Sequence, residues 1–131
     1  MGVAALITWL VTAAGGFELV AIWVNRGGHR AGSSNGTRLA PGLVFGHLLL
    51  AVIGLVLWIA YLVAGDEPLA WVAFVVLLPV ALLGFTMFAR WLPARRTAVA
   101  ESRFPVPLVL GHGLLGAATL VLVLLTAAGV G

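Results

Sequence analysis

The sequence has 131 residues, of which 63% are hydrophobic and 8% are charged, with a formal net charge of +3. Soluble domains carry about 25% charged residues, so this composition excludes an ordinary soluble domain and indicates a chain spent almost wholly on bilayer-spanning segments. The lack of cysteine excludes disulfides, thiolate metal sites and cysteine-ligated haem or iron–sulfur clusters. A basic charge balance in such a chain reflects its topology and is no evidence for a nucleic-acid partner.

Four apolar blocks predict four membrane-spanning helices, and therefore an all-α integral membrane four-helix bundle in a single domain, residues 1–131. The predicted spans are 3–24, 41–64, 69–91 and a last one that follows Pro105 and Pro107 and ends near residue 128. Pro79 lies mid-span, which predicts a kink in the third helix. The tryptophans lie toward the ends of the spans, as an interfacial aromatic belt would place them.

The charges predict one orientation. Every arginine lies in or beside the first and third connections, while Asp66 and Glu67 are the only charges of the second. The positive-inside rule then places both arginine-rich loops in the cytoplasm and both termini outside. Arginine without lysine, in a chain rich in Ala, Gly, Val and Leu, suggests a high-GC bacterial genome and hence a multi-pass protein of the bacterial plasma membrane.

The chain contains an internal repeat. Residues 43–50, LVFGHLLL, match residues 108–115, LVLGHGLL, with His47 over His112. In the helices before these segments, Gly16, Ala21 and Trp23 fall on Gly84, Ala89 and Trp91. The sequence therefore predicts one helical hairpin used twice, both termini on the same side.

Each copy places one histidine inside an apolar helix. His47 and His112 lie about six residues into the second and fourth spans, roughly 9 Å from the arginine-loop boundary at 1.5 Å per residue. These helices can lie diagonally in a four-helix bundle, where the two imidazoles would supply both axial ligands of a haem b. Small residues one and two turns after each histidine would leave space for a macrocycle: 51, 54, 116 and 119.

Three further residues complete the predicted haem site. Gly16 and Gly84 lie at a similar depth, where a missing Cβ would keep the helix clear of a porphyrin ring. Arg90 is the first candidate to meet the propionates, ahead of Arg26 and Arg38. Histidines on the second and fourth helices, with glycines on the first and third, resemble the haem-holding core of membrane b-type cytochromes.

That resemblance implies electron transfer with a membrane quinone or a larger redox complex. The larger members of that class carry a second histidine pair near the other membrane face, and this sequence has none, so a single haem is expected. Bilayer lipid is the expected surrounding, and a homo-oligomer is compatible with the sequence.

Glu18 lies at the level of the histidines and leaves several interpretations open. It could exchange protons with a quinone, hydrogen-bond a haem ligand, join the histidines in a His-His-Glu metal site, or pair with Arg26 or Arg90. Two other functions also stay open for the chain. One is a cofactor-free accessory or assembly subunit, with structural histidines; the other is a small transport or proton-relay component using Glu18 and both histidines.

Overall fold

The computed structural model describes residues 1–30 and 37–130, and these residues form four long helices. The helices are α1 (Gly2–Asn25), α2 (Pro41–Ala64), α3 (Glu67–Ala94) and α4 (Val106–Ala127). A short 3₁₀ helix, Ala100–Arg103, lies in the connection between α3 and α4. All four long helices have the length and hydropathy needed to cross a membrane, which confirms the all-helical class and the predicted number of long apolar helices.

The helix ends follow local chemistry. Pro41 opens α2 and Pro68 lies in the first turn of α3, where a missing backbone N–H costs no helical hydrogen bond. Gly65, at φ +69°, provides the left-handed residue that ends α2 and allows the two-residue connection to α3. The third helix is longer at both ends than the predicted span, 69–91. Glu67 and Pro68 belong to its first turn, and Pro93 lies within its last turn. It runs through Pro79 without interruption.

The two repeats interlock in space. The most extensive helix contacts are α2 with α3 and α1 with α4, so each helix packs chiefly on a helix of the other repeat. The α1–α2 contact, within one repeat, is the smallest of the four side-by-side contacts. Among the described residues no close backbone contact joins α1 to α3 or α2 to α4, so these pairs lie on the diagonals of the bundle. We call the end with the α1–α2 and α3–α4 connections the arginine end, and the other end the turn end.

The buried core consists of two clusters. The turn-end cluster is centred on Trp9, Trp58 and Leu77, and the arginine-end cluster on Trp23 and Val44. Four of the five tryptophans are buried, and only Trp71 is exposed: the buried four are Trp9, Trp23, Trp58 and Trp91. These four rings therefore lie near the ends of the spans, as the sequence indicates, but they pack inside the bundle and do not form an outward-facing belt. A large aromatic ring stabilises a small bundle more when it is buried inside than when it lies on the surface, because each buried ring fills the volume of several aliphatic groups.

Between the two clusters the core is interrupted. Each of the four helices contains one continuous stretch without a buried residue: 10–22, 45–53, 81–90 and 106–118. Both histidines of the repeat lie in this middle level and are themselves half-buried. The bundle is thus closely packed at its two ends and partly accessible at the level of the histidines.

A buried carboxylate joins the two connections at the arginine end. Glu101 is fully buried and accepts hydrogen bonds from the backbone N–H of Arg38 and from the Thr37 hydroxyl, the latter at 2.9 Å. The same hydroxyl accepts the indole N–H of Trp23 at 3.1 Å. Gly28 packs so closely against the Trp23 indole that any Cβ there would overlap it. The α1–α2 connection is therefore attached to the α3–α4 connection through hydrogen bonds to a fully buried carboxylate.

Replacing Glu101 by alanine is expected to destabilise the protein by about 2 kcal/mol, because it leaves the backbone N–H of Arg38 without its acceptor and leaves the Thr37 hydroxyl only the Leu39 carbonyl oxygen. The measurement is reversible unfolding in detergent, followed by tryptophan fluorescence. Glu67→Ala is the matched control, since Glu67 is exposed at the turn end and is expected to lose less than 1 kcal/mol. Equal losses in the two variants would contradict the assigned role of Glu101.

Candidate functional site

His47 and His112 meet across the axis of the bundle. Their ring centroids are 6.2 Å apart and their ring planes are inclined at 67°. Because α2 and α4 are diagonal and make no close backbone contact, these side chains reach toward each other from opposite corners. Both lie six residues from the arginine end of their helices, Pro41 and Val106, at the common depth that the repeat predicts.

Each imidazole is held by a backbone carbonyl of a neighbouring helix. His112 Nδ1 lies 2.8 Å from the Thr12 carbonyl oxygen on α1, and His47 Nδ1 lies 2.9 Å from the Val80 carbonyl oxygen on α3. A carbonyl oxygen can only accept, so in both neutral rings Nδ1 carries the proton and donates it. Nε2 is then left with its lone pair. This is the arrangement in which an outer hydrogen bond selects the tautomer and orients an imidazole as a metal ligand.

The two glycines make these hydrogen bonds possible. Gly16 follows Thr12 by one helical turn, and Gly84 follows Val80 by the same spacing. A Cβ built on Gly16 would lie 2.9 Å from His112 Cε1, and one built on Gly84 would lie 3.3 Å from His47 Cε1. Sequence analysis assigned both glycines to porphyrin clearance, whereas the contact that the structure shows is with the imidazoles. The missing Cβ lets each ring approach the carbonyl one turn earlier.

The spacing of the two rings suits one metal ion between them. Two imidazoles bound through Nε2 on opposite sides of an ion, with metal–nitrogen distances near 2.0–2.1 Å, have ring centroids about 6.4 Å apart. The observed separation of 6.2 Å is close to this value. A bis-histidine haem iron takes two neutral imidazole nitrogens as its ligands.

Glu18 does not belong to this site. It is exposed on the outer face of α1, while Gly16, two residues earlier, packs against His112. Among the described residues no three His, Cys, Asp or Glu side chains come together in a way that could hold a metal ion. The described residues therefore bring no carboxylate to the histidine pair, and Glu18 and Gly16 lie on nearly opposite sides of α1, as helical geometry directs residues two apart.

The remaining predicted residues take different places. Arg90 is exposed, and its Nη1 donates a hydrogen bond of 3.4 Å to the Arg38 carbonyl oxygen. Gly54 is covered by the Trp9 ring, so the side of the histidine pair that faces the turn end is filled by packed side chains.

Sequence reasoning missed the two carbonyl partners, Thr12 and Val80. Every residue carries a carbonyl group, so no side-chain pattern marks the one that accepts a hydrogen bond. The available signal is indirect: in both repeats a glycine follows the acceptor at one-turn spacing, Gly16 after Thr12 and Gly84 after Val80.

Gly16→Ala is expected to push the His112 ring away from the Thr12 carbonyl, because the added methyl group would overlap Cε1. In protein labelled with ¹⁵N-histidine, the Nδ1-bound proton of His112 should lose its protection from exchange with water, while that of His47 stays protected. Gly113→Ala is the matched control, since a Cβ there meets nothing within 4 Å. An unchanged His112 signal in Gly16→Ala would show that the glycine does not govern this contact.

Comparison of the chain with protein-family models, with curated proteins and with solved structures finds no match, so the geometry of the histidine pair carries the functional conclusion.

Proposed function

We propose that this chain is a small membrane b-type cytochrome that binds one haem through His47 and His112. The observation that carries the proposal is the pair of diagonal imidazoles, 6.2 Å apart, each fixed by an Nδ1 hydrogen bond that leaves Nε2 as the ligating atom. The interruption of the core at this level supports it, since the side chains around the pair are not buried against one another.

A bound haem would supply a one-electron redox couple, and two histidine ligands would favour electron transfer over oxygen activation by occupying both axial positions. The residues of the chain have separate tasks. The carbonyls of Thr12 and Val80 hold the ligand rings in one tautomer and orientation. The two apolar clusters shield the site from water along the bundle axis, and a low dielectric around a redox centre helps to set its potential.

The membrane orientation is part of the proposal. The arginine end lies in the cytoplasm, both termini lie outside, and the histidine pair is roughly 9 Å below the cytoplasmic boundary. A single site at this depth needs a membrane quinone or a larger redox complex to move electrons further.

Glu18 faces the lipid within a turn of Gly16, where it would be available to exchange protons with a quinone or to contact a second copy of the chain.

Purified wild-type protein, expressed with an adequate haem supply, is expected to show a Soret band and sharp α and β bands after dithionite reduction. His47→Ala and His112→Ala should each lose or strongly alter these bands, because either change removes an axial ligand. His29→Ala is the matched control and should keep the wild-type spectrum, since His29 is exposed in the first connection. A colourless wild-type protein, or a spectrum that survives both substitutions, would overturn the proposal.

The absence of cysteine makes the orientation directly testable with single-cysteine variants. Val130→Cys, at an exposed position after the end of α4, is expected to react with a membrane-impermeant maleimide on intact cells. Thr97→Cys, exposed at the arginine end, should react only after the membrane is permeabilised. The reverse pattern would place the arginine end outside and would contradict the orientation while leaving the haem site untested by this experiment.

A further inference from the structure

One buried donor stands out at the arginine end. Trp91 is 2% exposed, and its indole Nε1 has no hydrogen-bond partner among the described residues. Buried polar groups in proteins are nearly always hydrogen-bonded, and an unpaired one carries a cost of about 1–3 kcal/mol. The position of this N–H therefore indicates an acceptor that is not one of the described side chains or carbonyls.

The internal repeat shows what kind of acceptor the equivalent position uses. Trp23 is the counterpart of Trp91, and its Nε1 donates to Thr37, whose hydroxyl is in turn bonded to the Glu101 carboxylate. The indole in the first repeat thus belongs to a network that ends on a carboxylate. Among the described residues, which include the whole of the third connection, no such group reaches the indole in the second repeat.

Trp91 lies on the stripe of α3 that faces His47. It follows Gly84 by seven residues, which is two helical turns, and Gly84 is the residue that packs against the His47 ring. The backbone of Trp91 therefore lies roughly 10 Å along α3 from Gly84, toward the arginine end. That separation is comparable to the reach from the centre of a porphyrin to its propionate carboxylates.

A positive charge accompanies this donor. The guanidinium carbon of Arg95 lies 5.2 Å from the centroid of the Trp91 ring. Polarisation by a cation above an indole ring makes its N–H a better donor to an anion. Arg90, the residue that sequence analysis preferred, is turned to the Arg38 carbonyl instead.

We propose that Trp91 Nε1–H donates a hydrogen bond to one propionate carboxylate of the haem, with Arg95 as the charge beside it. This inference rests on the proposed function, and it assigns Trp91 as the residue that fixes the rotational position of the macrocycle about the His47–His112 axis. The two other sources of an acceptor, a trapped water and a lipid headgroup, make different predictions.

The test uses detergent-purified protein labelled with ¹⁵N-tryptophan and loaded with gallium protoporphyrin IX, a diamagnetic analogue of haem. The five indole N–H signals are assigned by loss in Trp-to-Phe variants, and the Trp91 signal can be identified by elimination if Trp91→Phe does not fold. Loading is expected to move the Trp91 signal downfield and to slow its exchange with water. The dimethyl ester of the same porphyrin, which has no carboxylate, should leave exchange at Trp91 fast.

Affinity provides a second measurement. Trp91→Phe keeps the aromatic ring and removes the donor, so it should weaken binding of haem b by about tenfold, the loss typical of a hydrogen bond to a charged acceptor. Binding of the haem dimethyl ester should be the same in Trp91→Phe and in wild type. Trp23→Phe is the matched control and should leave haem affinity within about twofold, because its N–H bonds to Thr37.

Two outcomes would overturn the inference and are distinguishable from failure of the proposed function. A Soret band that depends on both histidines, together with a Trp91 signal indifferent to the porphyrin, would leave the cytochrome proposal standing and remove the propionate contact. An equal response of Trp91 to the porphyrin and to its ester would assign the acceptor to water or a headgroup. Absence of any Soret band would overturn both proposals together.

Discussion

The hydrogen bond from an imidazole of one repeat to a backbone carbonyl of the other is the constraint on which the centre of this bundle depends. It occurs twice, as His112 to Thr12 and as His47 to Val80, and each time a glycine one turn after the acceptor allows the ring to approach. In a low-dielectric interior a donor cannot be left unpaired without cost, so each histidine selects one neighbouring helix and one depth on it. The interlocked packing of α1 with α4 and of α2 with α3 brings these partners together.

The buried core and the histidine pair occupy different levels along the bundle axis. The turn end is packed around Trp9 and Trp58, and the arginine end is held by Trp23 and by the buried Glu101 network. The level between them contains the histidines and no buried residue. A site positioned between two rigid ends can keep its ligand geometry while its own packing stays open, because the helices that carry the ligands are anchored above and below it.

The duplication explains both the symmetry of the site and its asymmetry. Identical features recur where both halves do the same work: a histidine, a glycine against the ring and a carbonyl acceptor one turn earlier. The halves differ at the arginine end, where Trp23 has a protein acceptor and the equivalent Trp91 has none among the described residues. Glu18 is another difference, since Thr86 occupies its place in the second repeat, and both side chains are exposed.

The sequence by itself determined the four helices, their bounds to within a few residues, the repeat and the common depth of His47 and His112. It could do so because span length depends on local hydropathy, and depth along a helix depends only on counting residues. It could not decide which way the tryptophans face, since an amphipathic ring near a span end suits either the lipid interface or the core.

Only the tertiary structure decided that Gly16 and Gly84 contact the imidazoles, that Glu18 lies away from them, and that the carbonyls of Thr12 and Val80 select the tautomer. Those properties depend on which helices are neighbours and on how each is rotated about its axis, and a helix that is apolar all round carries no pattern that specifies either.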